Sequence, residues 1–280
     1  MQQIVDTERY PLDDPGGPLW RQVVDAARQD LAGDGCTVLR DFVRPELVEA
    51  LRAQGGQIAP QAYYDVETVN VYNTEPDDSL PADHPARLTM ERGNAFVPRD
   101  RIGTDLIIHQ LYTSAPFRRF VGHCFRLPEV HELADPLAGL TLNVVTPGRS
   151  HPWHFDTNEF AVSMLTQAPD DGGVFEYCPN IRSAGAENFD EVRAVLDGRG
   201  EHLVRRLRLR PGDLQLFRGR YALHRVTTVL GDTPRHSAIF AFSERPGVIG
   251  SVARTRQLFG RVTPAHEEAA RRVRVDELLD

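Results

Sequence analysis

The most informative stretch of this 280-residue sequence reads His151-Pro-Trp-His154-Phe-Asp156. In a β-strand, side chains at positions i and i+2 leave the same face of the sheet. His154 and Asp156 can therefore point together into a barrel and offer one nitrogen and one oxygen ligand to a metal. Alone the pair is weak evidence for a metal site. The chain has ten histidines, and a buried histidine beside an aspartate in a turn would give the same sequence pattern.

Downstream residues strengthen the metal interpretation. His224 lies in a strand-like segment, and a barrel can bring a late strand beside an early one to complete a His-Asp-His set. Two histidines and one carboxylate with open positions are the ligands of Fe(II) oxygenases. Arg235 and Ser237 follow in the pattern H-x10-R-x-S and share one strand face. An Arg fork beside a hydroxyl suits a small carboxylate held near the metal.

The second half of the chain alternates short apolar segments with turn signals. Asp171-Gly-Gly173 is one such signal, because its two glycines allow a tight turn before the next strand. Short strands at this spacing predict a double-stranded β-helix, or jelly roll. The predicted strands are Leu140–Val145, Trp153–Asp156, Phe160–Gln167, Gly173–Cys178, Leu203–Leu209, Leu214–Phe217, His224–Val229 and Ser237–Phe242.

The first half of the chain is mostly helical in pattern. Residues 74–100 are the exception, because they are rich in Pro, Asp and Arg and predict a long, lid-like surface loop. Apolar residues at helical spacing predict helices in the N-terminal part, one insertion and the C-terminal end. These helices are Leu19–Leu31, Thr104–Cys124, Asn188–Leu196 and Pro264–Asp280.

We therefore predict an α+β, mainly β protein with a jelly-roll core and N-terminal helices packed on it. The whole chain, 1–280, forms one domain. A helical N-terminal part occupies 1–138 with its lid-like loop at 74–100, the jelly-roll core occupies 139–247, and a C-terminal tail or helix occupies 248–280.

Composition narrows the function classes. All 32 basic residues are Arg, and the absence of Lys excludes Schiff-base chemistry and a P-loop NTPase. The net charge of −8 argues against nucleic-acid and anionic-membrane partners, which need a cationic surface. The N-terminus is polar, and no apolar run approaches the ~18 residues of a membrane span. Three cysteines without a C-x-x-C pair indicate a reducing compartment, so we expect a cytoplasmic protein.

Taken together, these motifs resemble the Fe(II)/2-oxoglutarate-dependent oxygenases. A closer resemblance extends over nearly the whole chain, to the free-amino-acid halogenase/hydroxylase group typified by lysine halogenase. Halogenating members replace the metal-binding carboxylate with Gly, whereas this sequence keeps Asp156, so the resemblance implies a hydroxylase. The segments that carry it are Glu8–Asp13, Asp135–Ala138, His151–Phe155, Gln167–Pro169, Phe217–Arg220, Ala222–Val226 and Glu244–Gly247.

The resemblance implies a mechanism. Fe(II) is bound by His154, Asp156 and His224, the co-substrate 2-oxoglutarate pairs its distal carboxylate with Arg235, and O2 is the oxidant. An unactivated C–H bond of a small free amino acid or amine-like metabolite is hydroxylated, with succinate and CO2 as co-products. The same iron chemistry also allows desaturation or cyclisation of a natural-product intermediate. Further candidate contacts are Ser237 and Asn143 to 2-oxoglutarate, and His151, Trp153, Asn70 and Tyr72 to the substrate.

Several of these contacts have alternatives. Regular alternation points His151 away from the metal side, unless a bulge at Pro152 returns it to the pocket to contact a substrate carboxylate. The other interpretation is a rim histidine hydrogen-bonded to a loop, and for Asn143 it is a core polar residue with satisfied hydrogen bonds. Lysine-directed relatives have an Arg shortly before the Asn-x-Tyr segment, but this chain has none there. Glu67, in that stretch, is the candidate to face a substrate amine.

Two other functions remain as alternatives. The first is a cupin-like metal-binding protein without oxygenase activity, which would not need the Arg235–Ser237 pair. The second is a nucleic-acid demethylase, which would carry a second Arg where this chain has Ala241. A small-molecule substrate and, from base rates alone, a homodimer are the expected partners.

Overall fold

The computed structural model describes residues 3–75, 77–158 and 160–271. The α-helices in these ranges are α1 (Pro18–Gly33), α2 (Val48–Ile58), α3 (Ile107–Tyr112), α4 (Ala115–Cys124), α5 (Phe189–Leu196), α6 (Val252–Phe259) and α7 (Pro264–Arg271). The strands are β1 (Cys36–Leu39), β2 (Glu67–Val69), β3 (Met90–Arg92), β4 (Asn94–Val97), β5 (His131–Glu132), β6 (Leu140–Val145), β7 (His151–His154), β8 (Ala161–Gln167), β9 (Asp171–Gly172), β10 (Phe175–Cys178), β11 (Arg205–Leu207), β12 (Leu214–Phe217), β13 (Leu223–Val226), β14 (Val229–Leu230), β15 (Arg235–Phe240) and β16 (Phe242–Ser243).

Two antiparallel sheets face each other at the centre of the molecule. The larger sheet has the strand order β1-β12-β8-β15-β6-β4, and the smaller has the order β11-β10-β13-β7. Their inner faces pack together, since the rings of Phe217 and Tyr177 lie 5.7 Å apart between centroids. Most neighbouring strands are distant in sequence, as expected for a jelly roll. The predicted α+β, mainly β fold with a jelly-roll core is confirmed.

β15 shows how the larger sheet separates the helices from the interior. Successive side chains of a strand point to opposite faces. The His236 ring lies against Gly55 of α2, so this face of the strand meets the helical layer. The Arg235 side chain lies against Gly173 on the opposite face. Arg235 and Ser237 therefore point into the space between the two sheets.

α1 illustrates why the N-terminal helices pack on this sheet. Pro18 occupies the first turn, where its missing N–H costs no hydrogen bond. Trp20, Val24 and Leu31 recur at helical spacing and are buried. Gly35 follows with a φ of 68°, a conformation that favours glycine and turns the chain into β1. Among the described residues no helix combines the length and apolarity needed to cross a membrane.

The prediction of a loop at 74–100 is wrong for about its last third, where the structure has strands β3 and β4. β3 pairs with β2, and β4 pairs with β6 as an edge strand of the larger sheet. The buried side chains of Asn94, Ala95 and Val97 anchor this edge. Both strands have only three or four residues, too few to show a period of two among the surrounding prolines and charges.

Two helix predictions also differ from the structure. The single helix at Thr104–Cys124 is two helices, because Ser114 caps a new helix by accepting a hydrogen bond from the Phe117 backbone N–H. The C-terminal helix begins at Pro264 as predicted and is described to Arg271; residues 272–280 of that prediction lie outside the described residues.

Candidate metal centre

The two histidines of the predicted set are cross-strand neighbours in the smaller sheet. His154 ends β7 and pairs in register with His224 of β13. Their Nδ1 atoms lie 2.8 Å and 2.9 Å from the backbone oxygens of Pro152 and Ala222. A carbonyl oxygen only accepts, so each Nδ1–H donates, and Nε2 is the nitrogen left to bind a metal. Both rings are therefore oriented by backbone carbonyls, with Nε2 as the nitrogen that faces Asp156 and that a metal would take.

Asp156 completes the cluster from outside the strand. β7 ends at His154, so the predicted strand Trp153–Asp156 is wrong in its bounds and strand alternation does not align the two ligands. Instead the chain bends after the strand and brings Asp156 Oδ1 to 3.8 Å from His154 Nε2 and 3.5 Å from His224 Nε2. In the described part of the chain this is the one group of three such side chains whose ligand atoms converge.

The charges of the cluster suit a divalent cation. Burial, reinforced by His224, lowers the pKa of His154 to about 3, so this ring is neutral at physiological pH. Burial raises the pKa of Asp156, but His224 and His154 outweigh that effect and keep the carboxyl group ionised. Imidazole nitrogens and one carboxylate, with the remaining positions open, fit Fe(II) in the two-His-one-carboxylate arrangement.

Arg235 lies between the sheets as a buried cation without an anionic partner. It is 5% exposed, and its Nη1 donates to Ser237 Oγ at 2.6 Å. No carboxylate of the described residues forms an ion pair with it, and burial lowers its pKa to about 10. A buried charge without a counter-ion is costly, so this guanidinium provides a binding position for an anion.

Asn143 lies directly across from Ser237 in the β6–β15 ladder. Its Oδ1 accepts from the Asn94 side-chain amide at the long distance of 3.5 Å, and both residues are buried. Asn143 therefore lies beside Ser237 on the same face of the sheet, and its contact with 2-oxoglutarate stays a prediction.

His151 lies next to the cluster because β7 is irregular. The register against β13 shifts between His224 and Val226, so three residues of β7 span the distance of two. This bulge includes Pro152 and returns His151 to the metal side, where its ring stacks on His154 at 3.9 Å and 20°. Burial and the neighbouring rings hold the pKa of His151 well below its usual value, so the ring is neutral.

Trp153 does not reach the site. Its ring packs in the apolar cluster on the outer side of the smaller sheet, beneath the Arg225 guanidinium at 4.5 Å. Arg225 and His224 are adjacent in β13 and point to opposite faces. The structure therefore does not bring Trp153 to the metal ligands, although the sequence suggested a substrate contact for it.

Asn70 and Tyr72 are likewise occupied elsewhere. The Asn70 amide donates to Thr74, and its Oδ1 accepts the backbone N–H groups of Tyr72 and Thr74, so it braces its own loop. The Tyr72 ring stacks on Phe155 at 5.6 Å in the outer apolar cluster. Neither side chain is placed for the substrate contact that the sequence suggested.

The structure adds Arg92 to the site, a residue that the sequence did not single out. Gly93 donates its backbone N–H to the Ser150 carbonyl at 3.0 Å, which places Arg92 beside His151. Arg92 is 4% exposed, and its Nε and Nη1 have no hydrogen-bond partner among the described residues. Its Nη2 pairs with Glu67 Oε2 at 2.7 Å across the β2–β3 pair. Glu67 thus faces an arginine, whereas the sequence suggested a substrate amine.

A second cation approaches the site from α6. Arg254 donates to Gln257 within its helix, and its charge lowers the pKa of His151 and His154. The surroundings of the metal ligands are thus cationic on the side of Arg92 and Arg254. Only the pairing of short strands and the docking of a C-terminal helix bring these residues together, and no spacing in the sequence signals either.

Comparison with protein families gives a match that covers most of the chain. A model of the halogenase D family matches residues 19–256. No curated protein matches the chain.

Among solved structures, the fold is shared with several proteins at low sequence identity. AviO1 from Streptomyces viridochromogenes Tue57 is 15% identical, with 80% of this chain and 96% of that chain covered and a TM-score of 0.54. SnoK, a non-heme α-ketoglutarate-dependent carbocyclase of nogalamycin biosynthesis, is 14% identical, with 83% and 91% covered and a TM-score of 0.53. HygX from Streptomyces hygroscopicus, solved with nickel, 2-oxoglutarate and hygromycin B, is 13% identical, with 78% and 86% covered and a TM-score of 0.51.

Proposed function

Because the chain belongs to the halogenase D family, we propose that it is an Fe(II)- and 2-oxoglutarate-dependent hydroxylase of a small free amino acid. The observation that carries the proposal is the Asp156 carboxylate, 3.5 Å and 3.8 Å from the two imidazole Nε2 atoms. A halogenating site needs that position vacant for a halide. Here a carboxylate occupies it, which favours hydroxylation.

His154, Asp156 and His224 hold the iron in this proposal. When loaded with 2-oxoglutarate and O2, the iron supplies the oxidising power that inserts oxygen into a C–H bond, and succinate and CO2 are released. The protein contributes fixed ligand geometry, because both imidazoles are already oriented by backbone carbonyls. It also excludes water, since the rings of Phe217 and Phe175 pack around His224 at 4.8 Å and 5.7 Å.

Arg235 binds the distal carboxylate of 2-oxoglutarate, with Ser237 and Asn143 beside it. A guanidinium offers two parallel N–H donors to a carboxylate, and its bonds strengthen when water is excluded. The carboxylate in turn supplies the counter-ion that this 5%-exposed cation lacks within the described chain. A metal-binding protein without a co-substrate would gain nothing from such a group, so the oxygenase is favoured over the cupin-like alternative.

The substrate carboxylate is bound by Arg92 and His151. Arg92 has two donor nitrogens, Nε and Nη1, without a partner among the described residues, and neutral His151 can add one more donor from its position against His154. Glu67 neutralises part of the Arg92 charge, and Arg254 leaves a net cationic surface for an anionic group. An amino-acid carboxylate anchored here would keep the rest of the substrate beside the metal.

The test uses anaerobic protein loaded with Fe(II). Addition of 2-oxoglutarate should produce a weak visible charge-transfer band, and a panel of free amino acids should then be screened aerobically for succinate release. The product should gain one oxygen atom by mass spectrometry, with chloride present throughout. A chlorinated product would overturn the hydroxylase assignment, and the absence of the band would overturn the oxygenase.

A further inference from the structure

The carboxylate of Asp156 occupies space that is open only because residue 219 is glycine. Gly219 lies in the loop between β12 and β13, and its carbonyl accepts the Asp156 backbone N–H at 3.1 Å. A Cβ atom built on Gly219 would lie 1.8 Å from Asp156 Oδ2 and 2.5 Å from its Cγ. These distances are far below any van der Waals contact. The metal-facing orientation of Asp156 is therefore compatible only with a residue that has no side chain at position 219.

The backbone at position 219 does not itself require glycine. Gly219 is absent from the residues of this chain that have a positive φ. Alanine can therefore adopt the same backbone conformation without strain. Space for the Asp156 carboxylate is then the reason for glycine at this position.

The loop around Gly219 is held in place and cannot retreat easily. The Arg218 backbone N–H donates to the Gly35 carbonyl at 2.8 Å, which ties the loop to the start of β1. The Arg220 guanidinium donates to the Thr157 carbonyl at 2.9 Å, which ties it to the segment after Asp156. An added methyl group, which would also lie 2.9 Å from the Asp156 Cβ, would therefore displace the whole Asp156 side chain and leave the loop where it is.

Little else holds the Asp156 carboxylate in position. Oδ1 faces the two imidazoles, while no donor from the described residues is hydrogen-bonded to Oδ2. Most metal-binding carboxylates are oriented by hydrogen bonds from neighbouring groups. Here the missing side chain at position 219 leaves the space that the carboxylate occupies in its metal-facing orientation.

We propose that Gly219 is the positioning residue that keeps Asp156 among the metal ligands. The proposal rests on the proposed function, because it takes His154, Asp156 and His224 as the metal site. A side chain at position 219 would turn the carboxylate away and leave two histidines. The result would be a site with a vacant ligand position although Asp156 is still present in the sequence.

Co(II) binding tests the role of Gly219 without any turnover, because the visible absorption spectrum of bound Co(II) reports its ligands. Its affinity and absorption spectrum are compared in the wild type, Gly219→Ala, Asp156→Gly and the double variant. Gly219→Ala should weaken Co(II) binding by about 10- to 100-fold, the range for residues that orient metal ligands. Its spectrum should match that of Asp156→Gly, and the double variant should bind no more weakly than Asp156→Gly alone, because both changes remove the same ligand.

The control and the thermal stability of the metal-free proteins separate positioning from general damage. Gly56→Ala, in α2, adds a methyl group to open space and should bind Co(II) like the wild type. Gly219→Ala should lower the melting temperature in the presence of Asp156 but not in the Asp156→Gly background, where the clash is gone. If Gly219→Ala does not fold alone, a folded double variant supports the same conclusion.

Two outcomes distinguish the proposals. Wild-type Co(II) affinity and spectrum in Gly219→Ala, with weakened binding in Asp156→Gly, would overturn the role of Gly219 and leave the metal site intact. Wild-type affinity in Asp156→Gly would overturn the metal site itself. Equal losses of stability from Gly219→Ala in both backgrounds would also contradict the positioning role.

Discussion

Arg235 is the residue on which co-substrate binding depends most in this proposal. Replacing it with Ala removes a charge-assisted hydrogen bond, which is worth about 1.5–3 kcal/mol. We therefore expect the dissociation constant of 2-oxoglutarate to rise by about 10- to 150-fold. Titration of the visible charge-transfer band in the anaerobic Fe(II) protein measures this. Arg208→Ala, at an exposed position, should leave the titration unchanged, and an unchanged midpoint in Arg235→Ala would refute the assignment.

In the proposed function, Arg92 is the corresponding residue for the substrate carboxylate. In Arg92→Met we expect KM for the amino acid to rise by about 10- to 150-fold, because the Nε and Nη1 donors, which have no partner in the described part of the chain, are lost. The 2-oxoglutarate titration should not move. Glu67→Gln is the matched control, since it keeps an acceptor for Arg92 and should not raise KM. If an amino-acid amide, which lacks the carboxylate charge, reacts as well as the free acid, Arg92 does not bind that carboxylate.

At the scale of elements, β7 decides which side chains meet the metal. Its bulge opposite β13 puts His151 on the side of His154 and leaves Trp153 on the outer face. The sequence contains the cause, Pro152, but it also allows a regular strand. Hydrogen bonds to β13 decide between the bulge and a regular strand, and β13 lies about seventy residues further along the chain.

The contact between β15 and α2 predicts an acid-sensitive stability. The His236 side chain is 1% exposed, and neither of its ring nitrogens has a hydrogen-bond partner among the described residues. Burial lowers the pKa of His236 from 6.5 to about 4. The unfolded chain then binds the proton more readily, so stability falls as the pH drops from 6.5 to about 4. The full loss is about 3 kcal/mol.

His236→Phe should remove this acid sensitivity and be at least as stable as the wild type at neutral pH, because an apolar ring of similar shape leaves no unsatisfied nitrogen. Denaturant unfolding across this pH range measures the effect. The exposed His202→Phe is the control and should retain the wild-type pH dependence. A parallel dependence in wild type and His236→Phe would show that the His236 ring is not the cause.

For the molecule as a whole, one buried pair ties the C-terminal helices to the jelly roll. His266 Nε2 lies 2.9 Å from Asp135 Oδ2, and both side chains are fully buried. Asp135 also accepts the backbone N–H of Gly250, just before α6. The pair with His266 therefore anchors α7, and the bond from Gly250 anchors the start of α6, the helix that carries Arg254.

His266→Ala should therefore destabilise the protein by about 1.5–3 kcal/mol, the cost of losing a hydrogen bond to a charged group. Amide hydrogen exchange should increase first in α6 and α7, while Co(II) affinity stays unchanged because no ligand moves. Glu267→Ala, on the exposed side of the same helix, should change stability by less than about 0.5 kcal/mol. If His266→Ala instead lowered the protection from hydrogen exchange equally in all jelly-roll strands, His266 would not act by anchoring the C-terminal helices.

The jelly roll and the core of the site could be predicted from the sequence because their signals are local or regularly spaced. Short apolar segments between turn residues are visible along the chain, and H-x-D, His224 and Arg235-x-Ser237 each lie within one segment. The absence of Lys left Arg as the only side chain for a carboxylate fork, and spacing from His224 singled out Arg235. The structure does not bring Trp153, Asn70 and Tyr72 to the metal ligands as the sequence suggested, because residue identity does not reveal which face of a distorted strand or loop a side chain occupies.

By itself, the sequence determined the residue types for a metal, for the co-substrate carboxylate and for a double-sheet fold, since these depend on composition and short-range periodicity. Only the tertiary structure decided that Asp156 reaches the imidazoles from beyond the strand, that Arg92 lies beside His151, and that Gly219 leaves room for the carboxylate. Each of these depends on the packing of segments that are distant in the chain. Such packing is set by sterics and hydrogen bonds between partners that no local pattern identifies.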